Sequence, residues 1–137
     1  MRKRSSGRET SEQRAPGVKT YTISRLESKQ VEPRLRAKVV HAARMTVTLY
    51  SFRGGSRFPH HVHSQEQITY VLDGQLTFVV DDQFHRLRAG DLIVIPAGVP
   101  HSAKAGSAGA EVLSVVSPPR RGARPLTMLE PNHRQKR

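Results

Sequence analysis

The sequence predicts an all-β domain, a closed antiparallel barrel or jelly roll. Three observations predict it. Short β-branched and aromatic runs recur between turn signals from Tyr21 to Val116, the pattern of successive strands. Asp73-Gly74 separates two such runs and is the strongest short hairpin signal. No segment carries a convincing helical period. A set of roughly eight to eleven short strands suits a closed barrel or jelly roll, which hides its sheet edges.

The elements follow in order. Tyr21–Leu26 is a weak first strand. Val31–Arg36 and Lys38–Ala43 are ambiguous, because Leu35, Val39 and Val40 also suit a helix face. Arg44–Phe52 is a clear β-branched and aromatic run, and Gly54-Gly55 breaks it. Gln67–Leu72 and Gln75–Val80 flank Asp73-Gly74 as a hairpin, and Asp81-Asp82 turns the chain again. Gln83–Leu87, Leu92–Ile95, His101–Lys104 and Ala110–Val116 complete the set, each bounded by Gly, Pro or Ser, and Pro118-Pro119 ends the last.

A chain of 137 residues leaves room for one core and no second. Its expected division is a disordered tail over 1–19, a folded barrel over 20–117 and a mostly irregular tail over 118–137. Within the last, Leu126, Met128 and Leu129 could anchor one short docked piece. The net charge of +12 looks like a nucleic-acid signal until it is located. Residues 1–19 carry six Lys/Arg and two Glu, and residues 118–137 six Lys/Arg and one Glu. The tails thus hold +4 and +5, leaving +3 for the folded part. They lack the interleaved aromatics that stack bases, so specific nucleic-acid binding is not expected. No window reaches the roughly 18 apolar residues of a membrane span, and the basic N-terminus has no apolar stretch behind it. With no cysteine, thiolate metal sites, disulfides and a cysteine nucleophile are excluded. A cytoplasmic protein is the expectation.

Seven histidines are present, three of them within four residues: His60, His61 and His63. Side chains two apart on a strand share a face. His61, His63 and Gln67 therefore share one parity, and His60 and Glu66 the other. Two imidazoles on one face begin a site for Zn, Fe, Ni, Cu or Mn, and a solvated His-rich loop is the plainer alternative. His41, His85 and His133 have no sequence partner and read as surface or core histidines. His60 reads as facing solvent or the barrel mouth.

Two motifs then resemble those of the cupin superfamily. Gly55 is followed by five residues, His61-Val-His63, three residues, Gln67, six residues and Gly74, similar to the first cupin motif. Gly90, five residues, Pro96-Ala-Gly98, two residues and His101 resemble the second. The resemblance spans residues 40–117. It implies a double-stranded β-helix, with His61, His63 and His101 inside the barrel as ligands of one divalent metal ion (Zn, Fe, Mn, Ni or Cu). Two departures stand out: Gln67 occupies the position of the family's Glu, and Ala105 that of its Asn. Parity turns Glu66 away, so Gln67 is the expected fourth ligand through its amide oxygen. A site without an anionic ligand makes its ion a stronger Lewis acid and holds it less tightly.

Small cupins with Gln at this position are similar to this chain through Gln65–Leu72 and Ser117-Pro118-Pro119-Arg120. They include proteins acting on unsaturated uronate sugars and polyketide cyclases. The resemblance implies metal-dependent isomerase, lyase or cyclase chemistry on a small oxygenated substrate such as a sugar acid or polyketide. The alternatives are a metal-dependent dioxygenase and a non-catalytic binding or sensing module. No general acid or base can be assigned: Glu111 qualifies only if its parity on the last strand faces inward, and Tyr50, Arg53, Tyr70 and His60 are unspecific. The rest of the lumen reads as apolar, with Phe78, Val71, Leu76 and Ile93 lining or packing it. Apolar outer faces of small barrels pair, and the resemblance implies pairing too, so a homodimer is expected.

Overall fold

In a computed structural model of the chain, residues 17–120 and the strand 127–128 are described. Most of both predicted tails, with Leu126, Leu129 and His133, lies outside the described residues. Among them no helix is long and apolar enough to cross a membrane.

Among the described residues nine strands form: β1 (Lys29–Glu32), β2 (Leu35–His41), β3 (Thr46–Phe52), β4 (Arg57–Val62), β5 (Glu66–Val80), β6 (Gln83–Arg88), β7 (Leu92–Ile95), β8 (His101–Ser117) and β9 (Thr127–Met128). All their pairings are antiparallel. The fold is a jelly-roll barrel made of two sheet halves that share the long strands β5 and β8. One half runs β1-β2-β3, then the C-terminal part of β8, the N-terminal part of β5, and β7. The other holds β4, the N-terminal part of β8, the C-terminal part of β5, and β6, with β9 on β4.

Three local expectations change. Tyr21–Leu26 holds a single 3-10 turn, Ile23–Arg25, with no buried residue. Its Tyr21 and Ile23 are exposed, so it adds nothing to the core. The ambiguous region becomes β1 and β2, reversed at Arg34, which takes a positive φ of 62°. The third change is the largest: Asp73-Gly74 is not a hairpin turn. β5 runs straight through it while its register on β8 shifts on either side of Gly74. Gly74 has a φ of 81°, and a Cβ there would overlap the Gly109 carbonyl. Glycine serves a corner between the sheet halves, so the positive φ was real and its purpose different.

Alternation along the strands builds the interior. Thr46, Thr48, Tyr50 and Phe52 of β3 point inward, as do Val112, Ser114 and Val116 of β8. Leu35, Val71, Leu76, Ile95 and Val112 are almost completely buried. Of the four residues expected to line or pack the lumen, Leu76 and Phe78 line it, Val71 lies in the packed core and Ile93 packs partly buried against it.

Candidate metal centre

His61 is opposite His101 in the β4–β8 pairing, and His63 follows two residues later, past the end of β4. The ring centroids of His61 and His101 are 4.3 Å apart, those of His63 and His101 5.0 Å, and those of His61 and His63 5.5 Å. One ligand nitrogen from each ring lies within 4.8 Å of the others. Gln67, buried on β5, completes the cluster: its Oε1 is 3.0 Å from His63 Nε2.

The backbone fixes which nitrogen of each ring is available. His61 Nδ1 lies 2.7 Å from the Pro59 carbonyl, His63 Nδ1 3.1 Å from that of Gln65, and His101 Nδ1 2.9 Å from that of Val99. A carbonyl oxygen only accepts, so each Nδ1 carries the proton and each neutral ring turns an Nε2 lone pair to the lumen. Burial holds the rings neutral. It pushes His61 down to about 3, helped by the neighbouring His101, and His101 down to about 4. Burial also lowers His63, against the opposing effect of its contact with Gln67.

This donor set fits a cation. His101 Nε2 is buried without a hydrogen-bond partner, which ordinarily costs about 1–3 kcal/mol. His63 Nε2 and Gln67 Oε1 are two acceptors facing each other at 3.0 Å, near the roughly 3.0–3.4 Å between adjacent donors each about 2.1 Å from one octahedral or tetrahedral ion. The Gln67 amide is oriented from behind: its Nε2 donates to Thr69 Oγ1 at 2.9 Å, and Thr69 Oγ1 lies 2.6 Å from Ser114 Oγ.

The rings open into a cavity of about 50 Å³ between the two sheet halves. Its described lining contains no carboxylate. Glu66 is exposed, and Glu111 faces outward, where it accepts a 2.6 Å hydrogen bond from Ser51 Oγ. That parity removes Glu111 as a lumenal acid. Arg53 and Tyr70 are also exposed, whereas Tyr50 lines the cavity. His60 is half-buried and its Nδ1 has no hydrogen-bond partner. His41 and His85 are exposed, and His41 Nδ1 lies 2.8 Å from Thr46 Oγ1.

Two features of the cavity escape the sequence reading. Thr46, Thr48, Thr69 and Ser114 make one wall hydroxyl-rich. Threonine suits a strand on either face, so only register reveals it. Arg120 lines the same cavity, with its backbone N–H donating to Thr46 Oγ1 at 2.9 Å. Its charge lowers His61 and His63 and opposes the rise that burial imposes on the Tyr50 phenol. The sequence placed it in a solvated tail. The Ser117-Pro118-Pro119-Arg120 run marks the end of the barrel without showing that the chain returns to it.

Comparisons with known proteins agree with this geometry. Residues 48–116 match the family described as the cupin domain. An uncharacterized protein of Streptomyces coelicolor is 31% identical over 75 residues, covering 55% of this chain and 71% of the relative. The acireductone dioxygenase of Tuber melanosporum is 41% identical over 58 residues, covering 39% of this chain; the match spans only 34% of that enzyme. Among solved structures, KdgF from Halomonas superposes with a TM-score of 0.71 at 26% identity, over 77% of this chain and 96% of KdgF.

Proposed function

This chain belongs to the cupin domain family, and on that premise we propose that it binds one divalent metal ion through His61, His63, His101 and Gln67 and acts on a small anionic sugar acid. The reaction is of the isomerase, lyase or cyclase type. The observation that carries this reading is the charge pattern of the lumen: four neutral donors converge beside one cationic side chain, Arg120, with no carboxylate in the described lining. A bound divalent ion supplies Lewis acidity to a carbonyl or hydroxyl oxygen of the substrate.

The chain's own groups do the rest. The three backbone carbonyls at Nδ1 keep the imidazoles in the ligating tautomer. Arg120, which lines the cavity, pairs with the substrate carboxylate. Thr48 and Ser114 offer hydroxyls to a polyhydroxylated chain. Tyr50, held in its protonated form by burial, donates a hydrogen bond and is the one phenol available to hold a proton at the site.

Thr69 acts on the ion through Gln67. Thr69→Val keeps the side-chain volume but removes the acceptor of the amide N–H, so the amide oxygen is no longer aimed. Affinity for Zn²⁺ alone, read by calorimetry, is expected to fall roughly 10- to 100-fold. Unchanged affinity would remove Gln67 from the ligand set or show that its orientation is set elsewhere.

The functional reading is tested by incubating the metal-loaded protein with sugar acids, and with the same sugars lacking the carboxylate, in air and without oxygen. Turnover is expected only with the acids and equally in both atmospheres. Arg120→Gln should raise KM for the acid about 10- to 100-fold, the worth of a charge-assisted hydrogen bond. A second reading, a metal-dependent dioxygenase, is favoured by the 41% identity to acireductone dioxygenase. Activity that stops without oxygen would select it. Saturable binding of a sugar acid with no product would instead select a sensing or storage role.

A further inference from the structure

The strands divide their charge unevenly between the two sheet halves. β4, β6, β5 from Gln75 onward and β8 as far as Ser107 hold Arg57, Arg86, Arg88 and Lys104 and no Asp or Glu, a net of +4. The strands of the other half hold Lys29, Arg36 and Lys38 against Glu32, Glu66, Asp73 and Glu111, a net of −1. Register gathers the four cations on one outer face. Arg57, Lys104, Thr77 and Arg86 stand side by side across β4, β8, β5 and β6, and Arg88 is opposite Gln75 in the next row. The alternate residues Leu76, Phe78 and Ala103 line the lumen, so this row lies on the side of the sheet away from the metal site.

That face is a trough. Thr77, Arg86 and Lys104 border a depression of about 240 Å³, and a second of about 380 Å³ continues from the shared Gln75 and Gly106 toward Arg88 and Gly109. Cations stand on both sides, Arg86 and Arg88 on β6 and Lys104 on β8, with Arg57 beyond it on β4. Between them the floor offers Gln75 and Thr77 as hydrogen-bonding groups and is otherwise lined by small residues such as Ala105 and Gly106. From Val79 to Gly74 it runs roughly 17 Å at about 3.3 Å per residue, and Lys104 and Arg86 are two strand spacings, about 10 Å, apart. Phe84, 45% exposed, stands at the Val79 end. The acids nearest in the chain, Asp73, Asp81, Asp82 and Asp91, belong to the corner and turns at the ends of these strands.

We infer that this trough binds single-stranded nucleic acid without regard to sequence, with phosphates between Lys104 and Arg86 and a base against Phe84. Cations on both walls of a groove attract and hold a polyanion. Three features select a nucleic-acid strand over other polyanions. An exposed aromatic ring beside the cations supplies the face on which a base stacks, which an acidic peptide does not need. The floor is recessed and polar, so a flexible strand enters it, whereas a flat membrane surface would meet only the rim. The width between the walls admits one strand and not a duplex. Gln75 and Thr77 can bond phosphate or sugar, contacts that position a strand and carry no sequence information. The tails add +4 and +5 to the attraction but lack the aromatic, which the fold supplies at Phe84. The inference does not depend on metal binding, because trough and lumen lie on opposite faces of the sheet.

Fluorescence anisotropy of the full-length protein with a labelled oligouridylate of about twelve nucleotides tests it, over salt from about 50 to 200 mM. Because the basic tails bind any polyanion weakly, the comparison is between two variants of equal charge change. Lys104→Glu/Arg86→Glu should weaken binding about tenfold or more and reduce the salt slope by about 1.4, the share of two phosphate contacts on a single strand. Arg25→Glu/Lys29→Glu, both exposed and on the other sheet half, should cost less than about threefold and keep the slope. Lys104→Gln/Arg86→Gln should reproduce the slope change if the glutamates disturb folding, as read by circular dichroism. Phe84→Ala should lose roughly tenfold with the slope unchanged, the signature of stacking. Equal losses in the two charge-reversed pairs would assign binding to the tails and overturn the inference. So would a duplex bound as tightly as the single strand, an unaffected Phe84→Ala, or trough-dependent binding of phosphatidylserine vesicles without oligonucleotide binding.

Discussion

Replacing His101 with alanine is expected to abolish stoichiometric metal binding and to remove metal-dependent thermal stabilisation. His101 is almost completely buried, its Nδ1 is committed to the Val99 carbonyl, and its Nε2 has no hydrogen-bond partner. Removing one of four donors should lower affinity on the order of a hundredfold to a thousandfold, a fair share of the roughly 10–16 kcal/mol that complete protein sites reach with zinc. At a metal concentration about a thousand times the wild-type dissociation constant, the ion stabilises the wild type by about 4 kcal/mol. For a fold of this size that raises the melting temperature roughly 10–20 °C. The variant should show little of this rise. Its metal-free stability should change by only about 1–3 kcal/mol, because the cavity left by the ring is offset by loss of an unsatisfied buried nitrogen. Elemental analysis and melting curves with and without metal measure both effects. Metal retained at one ion per chain in His101→Ala would sink the proposed site.

Much of this site was legible because metal sites on strands obey parity. His61, His63 and Gln67 share a face by counting, and the second motif supplied a third imidazole at His101. Glu66, one residue from Gln67, is exposed, as its opposite parity requires. What counting could not supply was register between strands. Whether Glu111 or Ser114 of β8 faces the lumen depends on the register of β8 against β3 and β5. Ser114 won, so Glu111, which could serve as a lumenal acid only if its parity faced inward, is an outer-face partner of Ser51. Asp73-Gly74 misled for a related reason. A glycine with positive φ looks the same in sequence whether it turns a hairpin or a corner, and only the Gly109 carbonyl packed against it distinguishes the two. Arg120 was hidden because charge runs after a final strand are usually solvated, and nothing local records that the chain folds back onto the barrel.

The same register explains why the lumen tolerates three imidazoles without an acid. In many buried clusters a carboxylate offsets the charge of a protonated ring. Here Thr69, Ser114 and Gln67 supply hydroxyls and an amide, and Arg120 adds a positive charge. Burial and the neighbouring cations disfavour imidazolium more than the carbonyls and the Gln67 contact favour it, which keeps the nitrogens open to a metal at neutral pH. It also makes the metal-free barrel vulnerable to acid.

The second large effect follows from that vulnerability. In the unfolded chain a histidine titrates near 6.5, whereas in the fold burial pushes His61 down to about 3 and His101 down to about 4. Between these limits the unfolded state binds protons that the folded state refuses, so stability falls as pH falls. The loss begins as pH drops through about 6.5 and continues toward pH 4 and below. His61 and His101 each repel the other's proton, so their contributions are joint; together they amount to on the order of 5 kcal/mol by pH 4. That rivals the whole stability of a small domain. Chelator-treated protein should therefore show a urea midpoint that is flat above pH 7 and falls steeply between pH 6.5 and 4.5. Saturating metal should carry the plateau to lower pH, because the ion competes with protons for the same Nε2 lone pairs. In His101→Gln the slope should be roughly halved, since one of the two strongly shifted rings is gone and His61 loses its repelling neighbour. A midpoint constant from pH 7 to 4.5 in the metal-free wild type would mean that protons reach these rings in the folded state, and the closed, neutral lumen on which the metal site depends would be wrong.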